Sequence, residues 1–306
     1  MKTFAAINVG SYEQSLKIYT ITKNSGIREV DWIRNRLDLG GTFATGKLSH
    51  EVMDELCAVL RNFVSIMEGY RVDDYRACAT SAIRETKNTA IVLDQIMQRT
   101  GVKLDVLSNS EQRFLDYKSI ASRGGFEKII EKGTLVLDIG GGSIQMSLFD
   151  KDKLSATQNM RLGVLRLQEK MSRLNVRPSE NGPLLEELLE AQLSVFRKMY
   201  LKDRVIENII VVDDYISALI LGKLGKVAGS GYLDRDSMAS YMNYLQDHTD
   251  MEIVRYFDTP EENVPLLRIS SAIVRQVALM TDAKMIWAPG VSLCDGMVYE
   301  LSLIHI

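Results

Sequence analysis

The sequence predicts an α/β protein of two duplicated lobes with mixed sheets facing a central cleft. Three observations carry that reading. Strand-like and helix-like runs alternate in both halves, which indicates α/β layers. Each half opens on a strand–turn–strand, which indicates mixed rather than purely parallel sheets. The two opening turns echo one another, with Ile7-Asn8-Val9-Gly10-Ser11 in the first half and Leu137-Asp138-Ile139-Gly140-Gly141-Gly142-Ser143 in the second. At 306 residues the chain is long enough for two cores, because single cores stop growing near about 250–300 residues.

The elements follow in order. Phe4 to Val9 and Leu16 to Thr22 are β-rich runs around a Gly-Ser turn and read as a hairpin. Val52, Leu56, Val59, Leu60, Phe63 and Met67 recur at helical spacing over Ser49 to Met67, with Ser49 placed as N-cap. A strand at Tyr75 to Thr80, a helix at Ala90 to Arg99 and a strand at Lys103 to Leu107 come next, and a helix opens around Ser110 and Glu111. Gly124 to Gly133, polar and bounded by glycine, reads as a linker. Thr134 to Phe149 is the second strand–turn–strand. Helices are predicted at Leu184 to Tyr200, Met238 to Gln246 and Leu266 to Thr281, and strands at Ile209 to Val212 and Met285 to Trp287. The predicted lobes are residues 1–125 and 133–296, with the last helix, 297–306, packing back on the first lobe.

Composition removes several classes of function. A net charge of -3 supplies no global basic field, so neither nucleic acid nor a membrane is an expected partner, and an anionic ligand must be captured locally. The N-terminal apolar run is too short for a signal segment and no stretch reaches the length of a membrane span, so a soluble, cytoplasmic protein is expected. Cys57, Cys78 and Cys294 are odd in number and far apart, which argues for a reducing compartment rather than a disulfide framework. His50, His248 and His305 have no zinc-site spacing, so a bound metal would take oxygen ligands, as Mg²⁺ or Mn²⁺ does.

The strongest local signal is the run Leu135 to Ser143, a buried-looking strand that delivers Asp138 into a turn of three glycines. Gly140, Gly141 and Gly142 let the backbone approach an oxyanion and aim N–H groups at it, and Ser143 adds a hydroxyl. Alone, such a turn is also what a tight hairpin needs. A carboxylate beside phosphate-binding amides would repel the ligand unless a cation intervened, so Asp138 points to a bridging Mg²⁺. No Lys-Ser or Lys-Thr follows the glycines, which excludes a P-loop. Met146 stands where the dinucleotide fingerprint has its third glycine.

Several further segments share an order with this motif. Ala79 to Asn88 reads ATSAIRETKN, Val106 to Gln112 reads VLSNSEQ, Arg161 to Leu167 reads RLGVLRL, and the chain closes on GVSLCDGMVYE. Together with INVGS and LDIGGGS, this ordered set resembles the exopolyphosphatase and guanosine-pentaphosphatase (Ppx/GppA) family of the actin and sugar-kinase superfamily, over nearly the whole chain. The resemblance implies actin-like (ribonuclease H-like) lobes. It implies phosphate binding by Asn8, Ser11, Arg84, Gly140, Gly141, Gly142 and Ser143, and metal binding by Asp138 and Gln145. It puts Glu111 at the position of the carboxylate that orients or deprotonates the attacking water. Read without the family, Glu111 is a first-turn acid matched to its helix dipole. Arg36, Arg161 and Arg166 are weaker candidates for lining a polyanion path.

The departures carry equal weight. Asn8 stands where the family has aspartate and Gln145 where it has glutamate; Gln112 and Asn109 replace a glutamate and a glycine. Asp213 and Asp214 lie where a second glycine loop is expected, and read as an acidic turn after a strand. An amide ligates metal weakly and cannot act as a base. The expected function is therefore a phosphoanhydride hydrolase releasing terminal phosphate from inorganic polyphosphate or guanosine pentaphosphate, with reduced activity. The alternative is a catalytically impaired paralogue that binds polyphosphate or a nucleotide in a regulatory role. Mg²⁺ (or Mn²⁺) is the expected cofactor, and the sequence leaves room for a homodimer.

Overall fold

A computed structural model of the chain describes residues 1–22, 26–174, 181–220 and 231–305. The final residue of the last predicted helix, Ile306, lies outside these. The chain divides into two compact units: Met1–Ser122 with Ser292–Ile306, and Arg123–Val291. The division falls a few residues before the predicted 125. The Gly124 to Gly133 linker is corrected: it holds the short helix Phe126–Ile130, whose Phe126 meets Phe149 edge-on at 5.5 Å inside the second unit. A short apolar helix bounded by glycines has the composition of a linker until its packing is seen.

In the first unit, β1 (Lys2–Val9), β2 (Glu13–Thr22) and β3 (Gly26–Arg36) form an antiparallel meander, and β4 (Asp74–Ala79) and β5 (Leu104–Val106) add in parallel on the other side of β1. The order is β3-β2-β1-β4-β5. Strand alternation divides β1 between two layers. Ala5, Ile7 and Val9 enter the core with helices His50–Gly69 and Thr89–Thr100, while Phe4 and Ala6 meet Leu115, Cys294, Met297 and Val298 of helices Asn109–Ala121 and Leu293–His305. The last two helices approach so closely that a Cβ on Gly296 would lie 2.1 Å from the Leu115 carbonyl oxygen. Ser49 caps the first helix as the sequence predicts, accepting from the Val52 amide at 3.3 Å.

The second unit repeats the scheme. β6 (Thr134–Ile139), β7 (Ile144–Asp150) and β8 (Lys153–Met160) form the meander; β9 (Asn208–Val212) and β11 (Met285–Trp287) add in parallel, and β10 (Tyr232–Asp234) runs antiparallel at the edge. The order β8-β7-β6-β9-β11-β10 matches that of the first sheet with one strand added. The ladder irregularities between Ile18 and Tyr19 and between Leu148 and Phe149 fall the same number of residues past Asn8 and Asp138. These are two mixed-sheet lobes of the actin-like (ribonuclease H-like) kind, duplicated down to the bulge. β3 and β8, absent from the sequence reading, extend both hairpins to three strands. No helix among the described residues is long and apolar enough to cross a membrane.

A buried ion network ties the end of the chain into the first sheet. Lys17, 1% exposed, donates to Asp295 at 3.0 and 3.2 Å and to Glu29 at 2.9 Å, and its ammonium lies 4.3 Å from the Trp32 ring. Burial alone would push the Lys17 pKa down, but the attraction of Asp295 and Glu29 prevails and holds it above the ordinary lysine value.

Candidate functional site: two amide-lined hairpin turns

The second-lobe turn is built by its carbonyls. Gly140 closes the hairpin by donating to the Ser143 carbonyl at 2.9 Å. The carbonyls of Gly140 and Gly141 accept from the amides of Val164 and Leu165, each at 3.0 Å, and the Gly142 carbonyl accepts from Arg166 Nε at 2.7 Å. A peptide plane directs its C=O and the next residue's N–H in opposite senses. Three carbonyls turned toward the start of helix Val164–Arg173 therefore turn the amides of Gly141, Gly142 and Ser143 away from it. Those amides have no hydrogen-bond partner among the described residues. Consecutive amides left free in this way form an anion-binding concavity.

The first-lobe turn has the same construction. Gly10 donates to the Glu13 carbonyl at 3.0 Å; the carbonyls of Gly10, Ser11 and Tyr12 accept from Gln14 Nε2 at 3.2 Å, Leu39 at 2.7 Å and Leu37 at 3.1 Å. The amides of Ser11 and Tyr12 are likewise without partners among the described residues. Ser11 is buried, and its hydroxyl meets that of Ser81 at 3.0 Å, at the head of helix Ser81–Arg84.

The side chains at the strand ends differ between the lobes. Asp138 lies opposite Gln145 across β6 and β7, and Gln145 Nε2 donates to Asp138 Oδ2 at 3.2 Å. Gln145 Oε1 is buried without a partner, as is Oδ1 of Asn8, which pairs with Ser15 and Cys78 in its sheet. An orphaned amide oxygen beside a carboxylate is an oxygen donor set, which suits Mg²⁺ that keeps water or phosphate among its ligands. The charge is sparse: no cluster of three His, Cys, Asp or Glu is present among the described residues.

Arg84 and the Glu111 segment come together in the first lobe. Arg84 Nη1 donates to the Leu107 carbonyl at 2.7 Å and to Gln112 Oε1 at 3.3 Å. Glu111 occupies the third position of helix Asn109–Ala121 in a capping box: its Oε2 accepts from the Ser108 amide at 2.8 Å and its own amide donates to Ser108 Oγ at 3.2 Å. The bond from the Ser108 amide holds the exposed Glu111 carboxyl below the usual glutamate range. Asn88, which closes the ATSAIRETKN segment, is spent on structure, exchanging bonds with both the amide and the carbonyl of Leu48 at 3.1 Å.

Arg166, a weaker sequence candidate for lining a polyanion path, has its Nε on the Gly142 carbonyl. Arg36 closes β3 opposite Glu13, and Arg161 is exposed just after β8. Asp213 follows β9 as the sequence reading has it, but is 5% exposed and caps helix Asp214–Leu219, accepting from the Ile216 amide at 2.6 Å and from Ser270 Oγ at 2.9 Å. Burial pushes its carboxyl up to about 7. With a raised folded-state value, the unfolded chain ionises first as pH rises, so the contribution of Asp213 is full below about pH 4 and declines up to about pH 7. Asp213→Asn, which keeps a capping oxygen, is expected to flatten this slope and to raise stability at pH 8 by on the order of 1–3 kcal/mol. Urea melts at several pH values check this, and an unchanged slope would contradict the assignment.

A model of the Ppx/GppA phosphatase family matches residues 23–305. The chain is 27% identical over 154 residues to exopolyphosphatase 1 of Mycobacterium leprae, covering 50% of this chain and 44% of that protein. It is 25% identical over 181 residues to the guanosine-5'-triphosphate,3'-diphosphate pyrophosphatase of Photobacterium profundum, covering 58% of this chain and 35% of that one. These matches span less than half the length of either relative. Among solved structures, an exopolyphosphatase from Cytophaga hutchinsonii superposes with a TM-score of 0.84 at 18% identity, covering 98% of both chains. The Aquifex aeolicus Ppx/GppA family member superposes at 0.79 and 19%, covering 99% of this chain and 98% of that one. With the family model matched over most of its length and the same fold in both lobes, the chain belongs to the Ppx/GppA phosphatase family.

Proposed function

We propose that the chain is a phosphoanhydride hydrolase that releases terminal phosphate from inorganic polyphosphate or guanosine pentaphosphate. The observation that carries this is the second-lobe turn, whose carbonyls are all tied back so that three consecutive amides are left to an anion. In this reading Gly141, Gly142 and Ser143 hold phosphoryl oxygens and Ser143 adds its hydroxyl, while Ser11 and Asn8 offer the corresponding groups at the first lobe's own turn. Asp138 and Gln145 would hold Mg²⁺ (or Mn²⁺), which neutralises phosphate charge. Glu111 is ionised at neutral pH, and Ser108 engages Oε2. Its other oxygen orients a water toward the terminal phosphorus. The new P–O bond forms as the bridging P–O bond breaks, and the proton shed by water leaves with orthophosphate. Arg84, held beside Gln112, offsets phosphate charge.

A second reading, an impaired paralogue that binds polyphosphate or nucleotide in a regulatory role, is favoured by one observation: Gln145 presents an N–H to Asp138 where a metal site would gain from a second carboxylate. The two are separated by assaying phosphate release from long-chain polyphosphate and guanosine pentaphosphate with Mg²⁺ and with Mn²⁺. Gln145→Glu adds the missing charge. It is expected to tighten Mg²⁺ binding by calorimetry and to raise release about tenfold, which corresponds to roughly 1.4 kcal/mol in the barrier. If this variant binds Mg²⁺ more tightly and neither it nor the wild type releases phosphate, the hydrolase reading falls and the binding reading replaces it.

A further inference from the structure

We infer that Arg166 is a positioning residue that sets the third amide of the phosphate turn. The turn has three peptide planes to orient, and the backbone of helix Val164–Arg173 fixes two of them through the Val164 and Leu165 amides. The third plane, which joins Gly142 to Ser143, is fixed by a side chain, with Arg166 Nε on the Gly142 carbonyl at 2.7 Å. Because C=O and the following N–H are antiparallel in one plane, this bond determines where the Ser143 N–H points. The first lobe also uses one side chain, but on its first plane: Gln14 Nε2 holds the Gly10 carbonyl at 3.2 Å and the Leu37 carbonyl at 3.2 Å, while the third carbonyl, of Tyr12, accepts from the Leu37 amide. Each turn therefore uses two backbone donors and one buried or half-buried side-chain donor. In this role Arg166 acts through the loop, as a positioning residue.

Arg166→Met removes the donor and keeps the aliphatic stem, and Arg166→Lys retains a donor on a shorter head. In amide NMR spectra of the ligand-free protein, the Ser143 and Gly142 resonances are expected to move in Arg166→Met, with Leu165 and Val164 unchanged and Arg166→Lys closer to wild type. With inorganic tripolyphosphate as the probe, Arg166→Met is expected to bind about tenfold more weakly, in line with one misdirected hydrogen bond to a charged group. Arg166→Lys is expected to recover part of the loss, and saturation should no longer shift Ser143 while it still shifts Gly141. Unmoved Ser143 resonances in a folded Arg166→Met variant overturn the inference whatever the ligand. The binding arm rests on the phosphate reading of the turn; if tripolyphosphate shifts none of these amides in the wild type, that reading falls and the ligand-free spectra still decide the role of Arg166.

Discussion

Glu111→Gln is expected to lower phosphate release by about two to four orders of magnitude, the range that a positioned acid–base group contributes, while the melting temperature stays within a degree or so. The second half of that expectation comes from the capping box. Glutamine at the third helical position still accepts from the Ser108 amide, so the helix start is kept and only the charge is lost. Glu111→Ala breaks the box as well, and a lost cap interaction costs about 1 kcal/mol. Comparing the two variants separates the carboxylate's part in chemistry from its part in the fold. The wild-type rate should persist to lower pH than an ordinary glutamate would allow, because the Ser108 bond keeps the group ionised there. A Glu111→Gln enzyme with wild-type turnover would remove Glu111 from the mechanism.

Gly163→Ala is expected to abolish tripolyphosphate binding, with an affinity loss above about 100-fold, and to destabilise the second lobe by roughly 2–4 kcal/mol. A Cβ at this position would lie 2.3 Å from both the carbonyl carbon and the oxygen of Gly141 and 2.4 Å from the carbonyl carbon of Gly142. All are backbone atoms, so no rotamer change relieves the collision. The turn or the helix has to move, and with it go the bonds from Val164 and Leu165 that aim the free amides. Gly182→Ala is the control: a Cβ there meets nothing within 4 Å among the described residues, and alanine in a helix should stabilise slightly. Calorimetric binding and urea melts read both effects; a Gly163→Ala protein that binds tripolyphosphate normally would show that the turn tolerates displacement.

Much of the fold was legible because its strands and helices follow simple periods. Phe4 to Val9 alternates between two covered faces, and the run from Ser49 to Met67 carries both its cap and its apolar stripe. β3 and β8 were not legible, since as edge strands they bury little: Arg28, Glu29 and Val30 are exposed in succession, as are Lys153, Leu154 and Ser155. The turn chemistry around Gly140 to Gly142 was visible as glycine content, but which carbonyl each donor would reach was not. Arg166 follows Gly142 by more than twenty positions, and nothing in RLGVLRL distinguishes a side chain that meets a carbonyl from one that meets a ligand. The burial of Asp213 was not legible for a related reason. Two adjacent acids suggest solvent, and only the fold brings Ser270, 57 positions later, against the first of them.

The buried Lys17 network has a consequence for the nascent chain. One of the two carboxylates that neutralise this ammonium, Asp295, belongs to a segment synthesised after the whole second lobe, 278 residues after the lysine it meets. The second lobe, Arg123–Val291, is one uninterrupted segment and holds all its own strands once residue 291 has been made. The first lobe begins emerging earlier, yet it lacks the helix that covers Phe4 and Ala6 and the partner that offsets Lys17 until Ser292–Ile306 follows. The lobe begun first is thus the lobe finished last. On the ribosome, that apolar sheet face is completed only after the whole of the other lobe has been made.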